Sequence, residues 1–177
     1  KKTVTEVVNF DVTKTLKNTA TQTNLRVATP FGTGGFAPNV AWSVAYWQKV
    51  DTNASTQIML RIPGSSDFLF WARSDSTVRV RLGGSVHNEV TYGQSTYDLM
   101  QDETDYHFIC ITNDGNGSTS SHTAGAVGSN HKLYIDGVLQ TTTEHTETDD
   151  YTNNGDMQFN SEASYDFPGK VTHISFW

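Results

Sequence analysis

The sequence contains little of what several protein classes need. It has one cysteine, Cys110, among 177 residues, so no disulfide can form within the chain, and cysteine usage does not decide the cellular compartment. The longest apolar runs fall far short of the roughly 20 residues of a spanning helix, which predicts no membrane span. The chain starts at Lys1-Lys2 without an apolar leader, and we expect that any leader was removed or never existed.

Positive charge is scarce in the second part of the chain. Residues 1–100 hold ten Lys and Arg against seven Asp and Glu, a balance of +3, whereas residues 101–177 hold two against twelve, a balance of −10. A nucleic-acid-binding domain needs a basic face, so the net charge of −7 argues against that class. Two interpretations of the acidic part stay open: solvated loops, or a surface for cations or a basic partner.

The patterns of common catalytic sites are also missing. The six histidines lack the H-x-H and H-E-x-x-H spacings of zinc sites, and no Gly-x-Ser-x-Gly motif occurs. Glu144 to Asp150 comes nearest to the paired carboxylates that glycoside hydrolysis needs, but it has no apolar spacers, and we interpret it as a solvated loop. The sequence therefore predicts that the protein is not an enzyme.

The pattern that is present is that of short β-strands. Residues 41–50 are apolar on both faces, which predicts a central strand, and residues 77–82 alternate valines with Arg79 and Arg81, which predicts a half-exposed strand with a basic outer stripe. Further strands are predicted over 3–12, 25–28, 56–62, 67–72, 86–92, 106–112, 131–140, 156–160 and 170–177. Since no helix of three turns fits, we predict a single all-β domain, either a two-sheet sandwich or a barrel.

Residues 106–140 give the firmest local prediction. Asp136-Gly137 lies between apolar residues, and both positions tolerate positive φ, which indicates a type I′ hairpin. Between the strand at 106–112 and this hairpin lies a long insert of small residues, 113–130. At the other end of the chain, residues 1–30 are expected to form an edge strand and a polar N-terminal arm.

Five motifs follow one another in a familiar order. They are Trp42 to Trp47, Phe68 to Trp71, Tyr106 to Ile111, Leu133 to Gly137, and Gly169 to Trp177. In this order the chain resembles the concanavalin A-like lectin superfamily, in its laminin G-like and pentraxin branch, over about residues 40–177. The resemblance implies an all-β fold, a two-sheet antiparallel jelly-roll sandwich.

The chain departs from these relatives at three places. Ala45 stands where pentraxins have the cysteine that pairs with the counterpart of Cys110, the insert at 113–130 is unusually long, and the pentraxin calcium loop is reduced to residues 160–166. By resemblance, Ca²⁺ ligands fall at four positions. These are Asp67, Asn160, Glu162 and Asp166. The alternative is that the shortened loop has lost the site, because Ca²⁺ takes about six to eight oxygen ligands.

A glycan presents an apolar face and a polar rim, so aromatic and amide side chains in loops are candidate ligands for it. Five such residues are predicted to lie in loops: Tyr92, Tyr151, Asn153, Asn154 and Tyr165. Each is alternatively an ordinary packing residue.

Two hypotheses for the function follow. The first is a non-enzymatic, carbohydrate-binding, lectin-like module outside the cell or on a particle surface, with or without calcium, whose partner is a glycan or glycoconjugate. The second is a structural subunit of a virion, phage appendage or extracellular filament, in which the basic part of one copy docks on the acidic part of the next and forms rings or filaments.

Overall fold

A computed structural model describes residues 16–17, 25–27, 40–53, 56–63, 67–82, 89–115, 131–146, 156–159 and 167–177. These ranges contain the strands β1 (Leu16–Lys17), β2 (Leu25–Val27), β3 (Ala41–Val50), β4 (Gln57–Ile62), β5 (Phe68–Ala72), β6 (Val78–Leu82), β7 (Glu89–Tyr92), β8 (His107–Asp114), β9 (His131–Ile135), β10 (Val138–Leu139), β11 (Thr142–Thr146), β12 (Met157–Phe159) and β13 (Gly169–Phe176), and one helix, α1 (Gln94–Met100). Within these ranges, no helix is both long and apolar enough to cross a membrane.

The strands form two antiparallel sheets. The six-stranded sheet has the order β1-β13-β3-β8-β9-β10, and the seven-stranded sheet has the order β11-β7-β6-β5-β4-β12-β2. Strand β3 lies between β13 and β8, which confirms that it is a central strand. The prediction of an all-β, two-sheet antiparallel sandwich is confirmed, and the alternative of a closed barrel is not what the chain forms.

The core lies between the two sheets and follows from the alternation of side chains along each strand. Trp42 on β3 meets Phe68 on β5 edge to face with 5.8 Å between ring centroids, and Tyr46 meets Phe159 on β12 at 5.1 Å. Each pair joins the two sheets. These four rings are all at most 3% exposed, so they fill the centre of the sandwich.

The hairpin predicted at Asp136-Gly137 is present between β9 and β10. Asp136 has φ of 53° and Gly137 has φ of 79°, the positive values that a type I′ turn requires at both positions. One strand further in, Ala45 lies directly opposite Cys110 in the β3–β8 pairing. The position that the resemblance assigned to the missing partner cysteine is therefore the cross-strand neighbour of Cys110.

Three boundaries differ from the sequence predictions. No element was predicted between the strands at 86–92 and 106–112, but this segment contains α1, which begins at Gln94. The acidic segment predicted as a loop begins as strand β11, because residues 142–146 pair with β7. Strand β8 continues through Asp114, so the first two residues of the predicted insert belong to a strand. The other residues of the insert, except Gly115, lie outside the described ranges, as does the strand predicted at 3–12.

The last strand depends on a glycine at its first position. A Cβ atom on Gly169 would collide with the backbone carbonyl of Lys49 and with the ring of Phe167. The absence of a side chain therefore lets β13 approach β3 closely where the two strands begin to pair.

Candidate functional site

Two of the predicted site residues lie in the described part of the chain, and their surroundings differ from what was expected. The prediction that Tyr92 lies in a loop is wrong, because it ends strand β7 and is 1% exposed. Burial raises the pKa of its phenol, and a backbone hydrogen bond with Leu133 acts in the opposite direction. Successive side chains of a strand point to opposite faces of the sheet, so Tyr92 points into the core and its neighbour Thr91 points to the outer face.

Asp67 immediately precedes β5, and its Oδ2 accepts a hydrogen bond from Arg61 Nη2 at 2.6 Å. This predicted calcium ligand is therefore already paired with a positive charge of the protein. The other predicted residues, Tyr151, Asn153, Asn154, Asn160, Glu162, Tyr165 and Asp166, lie outside the described ranges. Within those ranges, no group of three or more His, Cys, Asp or Glu side chains is placed to hold a metal ion.

A cavity of about 290 Å³ lies where the chain passes from β10 to β11. Tyr92 and Leu139 contribute to its lining, together with the polar residues His131, Lys132, Gln140, Thr141 and Thr142. Gln140 is held in place, since its Oε1 accepts a hydrogen bond from Thr96 Oγ1 at 3.0 Å and its Nε2 donates to the Val138 carbonyl at 2.9 Å. Tyr92 therefore borders a cavity, although not as a loop residue.

The richest group of functional side chains lies on the outer face of the seven-stranded sheet. Strands β5 and β6 turn Phe70 and Val80 into the core, so Trp71 and the two arginines of β6 point outward. We call this surface the arginine face, and define it by Arg61, Trp71, Arg73, Arg79 and Arg81 with the acidic residues Asp67, Asp75 and Glu89.

Ion pairs hold two of the arginines in place. Glu89 is 8% exposed and receives Arg79 Nη1 at 2.5 Å and Arg81 Nη2 at 3.2 Å. Arg79 also reaches Asp75 at 2.7 Å. Burial opposes the charge on Arg79, but Glu89 and Asp75 together raise the pKa of its guanidinium. Arg79 is thus anchored from both sides and forms part of the scaffold of the face.

Trp71 positions Arg73 and also Arg81, the less closely paired of the two arginines that contact Glu89. The guanidinium carbon of Arg73 lies 4.9 Å from the centroid of the indole ring, and that of Arg81 lies 5.1 Å from it. Both distances are within the roughly 6 Å range of cation–π attraction. Trp71 Nε1 and Arg81 Nε are buried and have no hydrogen-bond partner among the described residues. Buried donors of this kind are uncommon in folded proteins.

The basic stripe of β6 was predicted from the sequence, but its part in a site was not. The signal that it missed is the register of β5 against β6, which places Trp71 directly opposite Arg79. Arg73, in the turn after β5, gave no periodic signal of its own. The predicted glycan ligands were sought in loops, whereas this group lies mainly on strands.

No family model matches the sequence, and no curated protein is found to be similar to it. Solved structures do show similarity. The CBM40 domain of the Ruminococcus gnavus IT-sialidase has a TM-score of 0.55 at 12% identity, with 81% of this chain and 77% of that chain covered. The same domain bound to alpha2,3 sialyllactose has a TM-score of 0.53 at 11% identity, with 77% and 75% covered.

The binding domain of Paraclostridial Mosquitocidal Protein 1 has a TM-score of 0.62 at 11% identity. The matched region covers 99% of this chain and 43% of the chain of that domain. At identities this low, the similarities establish the fold alone. The chain has the concanavalin A-like jelly-roll sandwich that the motif order predicted.

Proposed function

We propose that the protein is a non-enzymatic carbohydrate-binding module that holds a glycan on the arginine face. The observation that carries the proposal is the group of guanidinium donors arranged around Trp71 on the outer face of the seven-stranded sheet. Carbohydrate recognition needs donors and acceptors in fixed positions next to a less polar surface, because a sugar has a polar rim and apolar faces. The arginine face supplies both.

The fold supports the same proposal. The similar structures include a CBM40 domain bound to alpha2,3 sialyllactose, a sialylated sugar. We propose that this chain binds a glycan or glycoconjugate outside the cell or on a particle surface. Calcium assistance through Asp67, Asn160, Glu162 and Asp166 is a separate prediction. Because Arg61 already binds the Asp67 carboxylate, calcium has no part in our proposal for the arginine face.

A glycan array with neutral and acidic sugars, probed with and without a chelator, tests the proposal. We expect the native protein to bind at least one glycan. Trp71→Ala should weaken this binding about tenfold or more, since the two flanking guanidinium groups lose the ring that positions them. Trp47→Ala is the matched control, because Trp47 is 38% exposed and lies on the outer face of the opposite sheet.

Absence of binding to every glycan under both conditions would contradict the proposed function. Equal losses in Trp71→Ala and Trp47→Ala would also contradict it, because binding would then not depend on the arginine face. Binding that is lost only when the chelator is present would instead support the calcium prediction.

A further inference from the structure

We infer that the arginine face selects glycans that carry an acidic group, a carboxylate or a sulfate, and that Arg73 and Arg81 bind this group. The inference rests on the proposed function and adds the chemical class of the ligand. The four arginines of the face differ in how closely carboxylates of the protein bind them, and the inference rests on this difference.

Arg61 and Arg79 are already occupied. Arg61 binds Asp67 at 2.6 Å, and Arg79 binds both Glu89 and Asp75, at 2.5 Å and 2.7 Å. These guanidinium groups have carboxylate partners at short distances, so they offer little to a ligand.

Arg73 and Arg81 are much less engaged. Among the described residues, the carboxylate that pairs with Arg73 is Asp75 at 3.9 Å, which is at the outer limit of an ion pair. Arg81 shares Glu89 with Arg79 and makes one contact to it, at 3.2 Å. Their side chains are 33% and 23% exposed, so both are partly accessible to solvent, although Arg81 Nε is buried. Each therefore keeps N–H groups that no described residue accepts.

Trp71 fixes the position of these two groups. Both guanidinium carbons lie about 5 Å from the same indole ring, which restrains two long side chains that would otherwise be mobile. A ligand then meets two positive, planar donors that are already oriented, and the entropic cost of binding falls. Planar guanidinium forks match the oxygen geometry of carboxylate and sulfate groups, and bonds of this kind are roughly twice as strong as those between neutral groups.

The local charge agrees with an anionic ligand. The face holds four arginines against the three acidic residues Asp67, Asp75 and Glu89, although the whole chain has a net charge of −7. Glu89 is only 8% exposed, and its two oxygens are paired with Arg79 and Arg81, so this carboxylate is already neutralised by arginines of the face. The balance among the described residues of the face is therefore positive on a protein that is acidic as a whole.

The test compares matched glycans and matched variants. The glycan pairs are a sialylated oligosaccharide with its asialo parent, the same sialoside with its carboxylate converted to an amide, and a sulfated oligosaccharide with its unsulfated parent. The variants are Arg73→Gln, Arg81→Gln and the charge-conserving Arg81→Lys. Lys49→Gln is the control, because it removes one positive charge from β3 in the opposite sheet, and Lys49 belongs neither to the arginine face nor to the lining of the cavity. Unfolding midpoints confirm that each variant is folded.

We expect the acidic member of at least one pair to bind about tenfold or more tightly than its neutral partner. Arg73→Gln and Arg81→Gln should each remove most of this preference, Arg81→Lys should retain part of it, and Lys49→Gln should change it less than about twofold. The amide arm and the sulfated arm show which acidic group is preferred.

Equal affinity for acidic and neutral partners would overturn the inference while leaving carbohydrate binding in place. An acidic preference that survives in both Gln variants would overturn the assignment to Arg73 and Arg81. Absence of binding to every glycan would instead overturn the proposed function.

Discussion

At the scale of single residues, His107 connects two parts of the structure that are distant in sequence. Its Nδ1 lies 2.6 Å from Asp136 in the β9–β10 turn, and its Nε2 lies 3.1 Å from Asp102 in the segment after α1. Asp136 also accepts a hydrogen bond from the Phe108 N–H at 2.8 Å. Because both ring nitrogens face carboxylates, the charged imidazolium, which donates from both, fits this position best.

This arrangement predicts a pH dependence of stability. Burial opposes protonation of His107, but Asp136 and Asp102 raise its pKa above the ordinary 6.5. The folded state then binds the proton more tightly than the unfolded state does. The resulting stabilisation is fully present below the unfolded pKa, and it is lost as the pH rises through the raised folded pKa.

We therefore expect the unfolding midpoint to fall as the pH rises from about 6 to about 8, and this part of the slope should disappear in His107→Gln. Thermal unfolding followed by circular dichroism across this window measures it. His173→Gln is the control, because His173 is exposed and bonds only to the adjacent Thr172 among the described residues. Identical pH slopes in the native protein and His107→Gln would show that His107 does not carry the effect.

At the scale of elements, the sequence predicted strands well wherever apolar residues alternate or fill both faces. Strands β3, β5 and β6 lie within one residue of their predicted bounds. Helix α1 was missed because seven residues make two turns, too few for a clear period of 3.6. Strand β11 was missed because its Thr-rich, acidic sequence has no apolar face, and its pairing with β7 is a tertiary effect.

The candidate site was less predictable than the strands. Alternation showed that Arg79 and Arg81 point outward, but it did not show which side chains lie beside them. The β5–β6 register brings Trp71 next to them, and the turn after β5 brings Arg73 over the same ring. Contacts across strands depend on register, and in a hairpin the register depends on the turn type and loop length, which the polar segment between β5 and β6 did not reveal.

The pairing of β3 with β8 predicts a disulfide that can be introduced. Directly opposed residues of an antiparallel pair have Cα atoms about 4.5 or 5.5 Å apart, which suits a disulfide. Ala45→Cys should therefore join Cys110, and closing a loop of about 65 residues should stabilise the oxidised protein by about 2 to 4 kcal/mol.

Thiol titration of the denatured protein and the unfolding midpoint with and without reductant measure this outcome. Ala45→Ser is the control, because it has a similar size but forms no bond. Two free thiols after oxidation, with no gain in the midpoint, would show that the two positions are not aligned as the register indicates.

At the scale of the whole molecule, the fold gathers arginines that are spread along the first part of the sequence. Strands β4 to β7 all come from residues 1–100 and lie side by side, which gathers four arginines on one face. The exposed residues Asp98, Glu103 and Asp105 lie in α1 and in the segment that leads to β8. These three exposed carboxylates thus lie on other elements than the arginine face, as docking of one copy onto the next would require.

The hypothesis of a structural subunit makes a prediction that rests on this separation. At low salt and high protein concentration, copies should associate and elute earlier from a size-exclusion column with light-scattering detection. About 0.5 M salt should return them to monomers, because screening then acts over less than 5 Å. Asp105→Asn should weaken the association, whereas Asp156→Asn, which removes an equally exposed charge next to β12, should leave it nearly unchanged. A species that stays monomeric at low salt would contradict the hypothesis and favour glycan binding as the function of the arginine face.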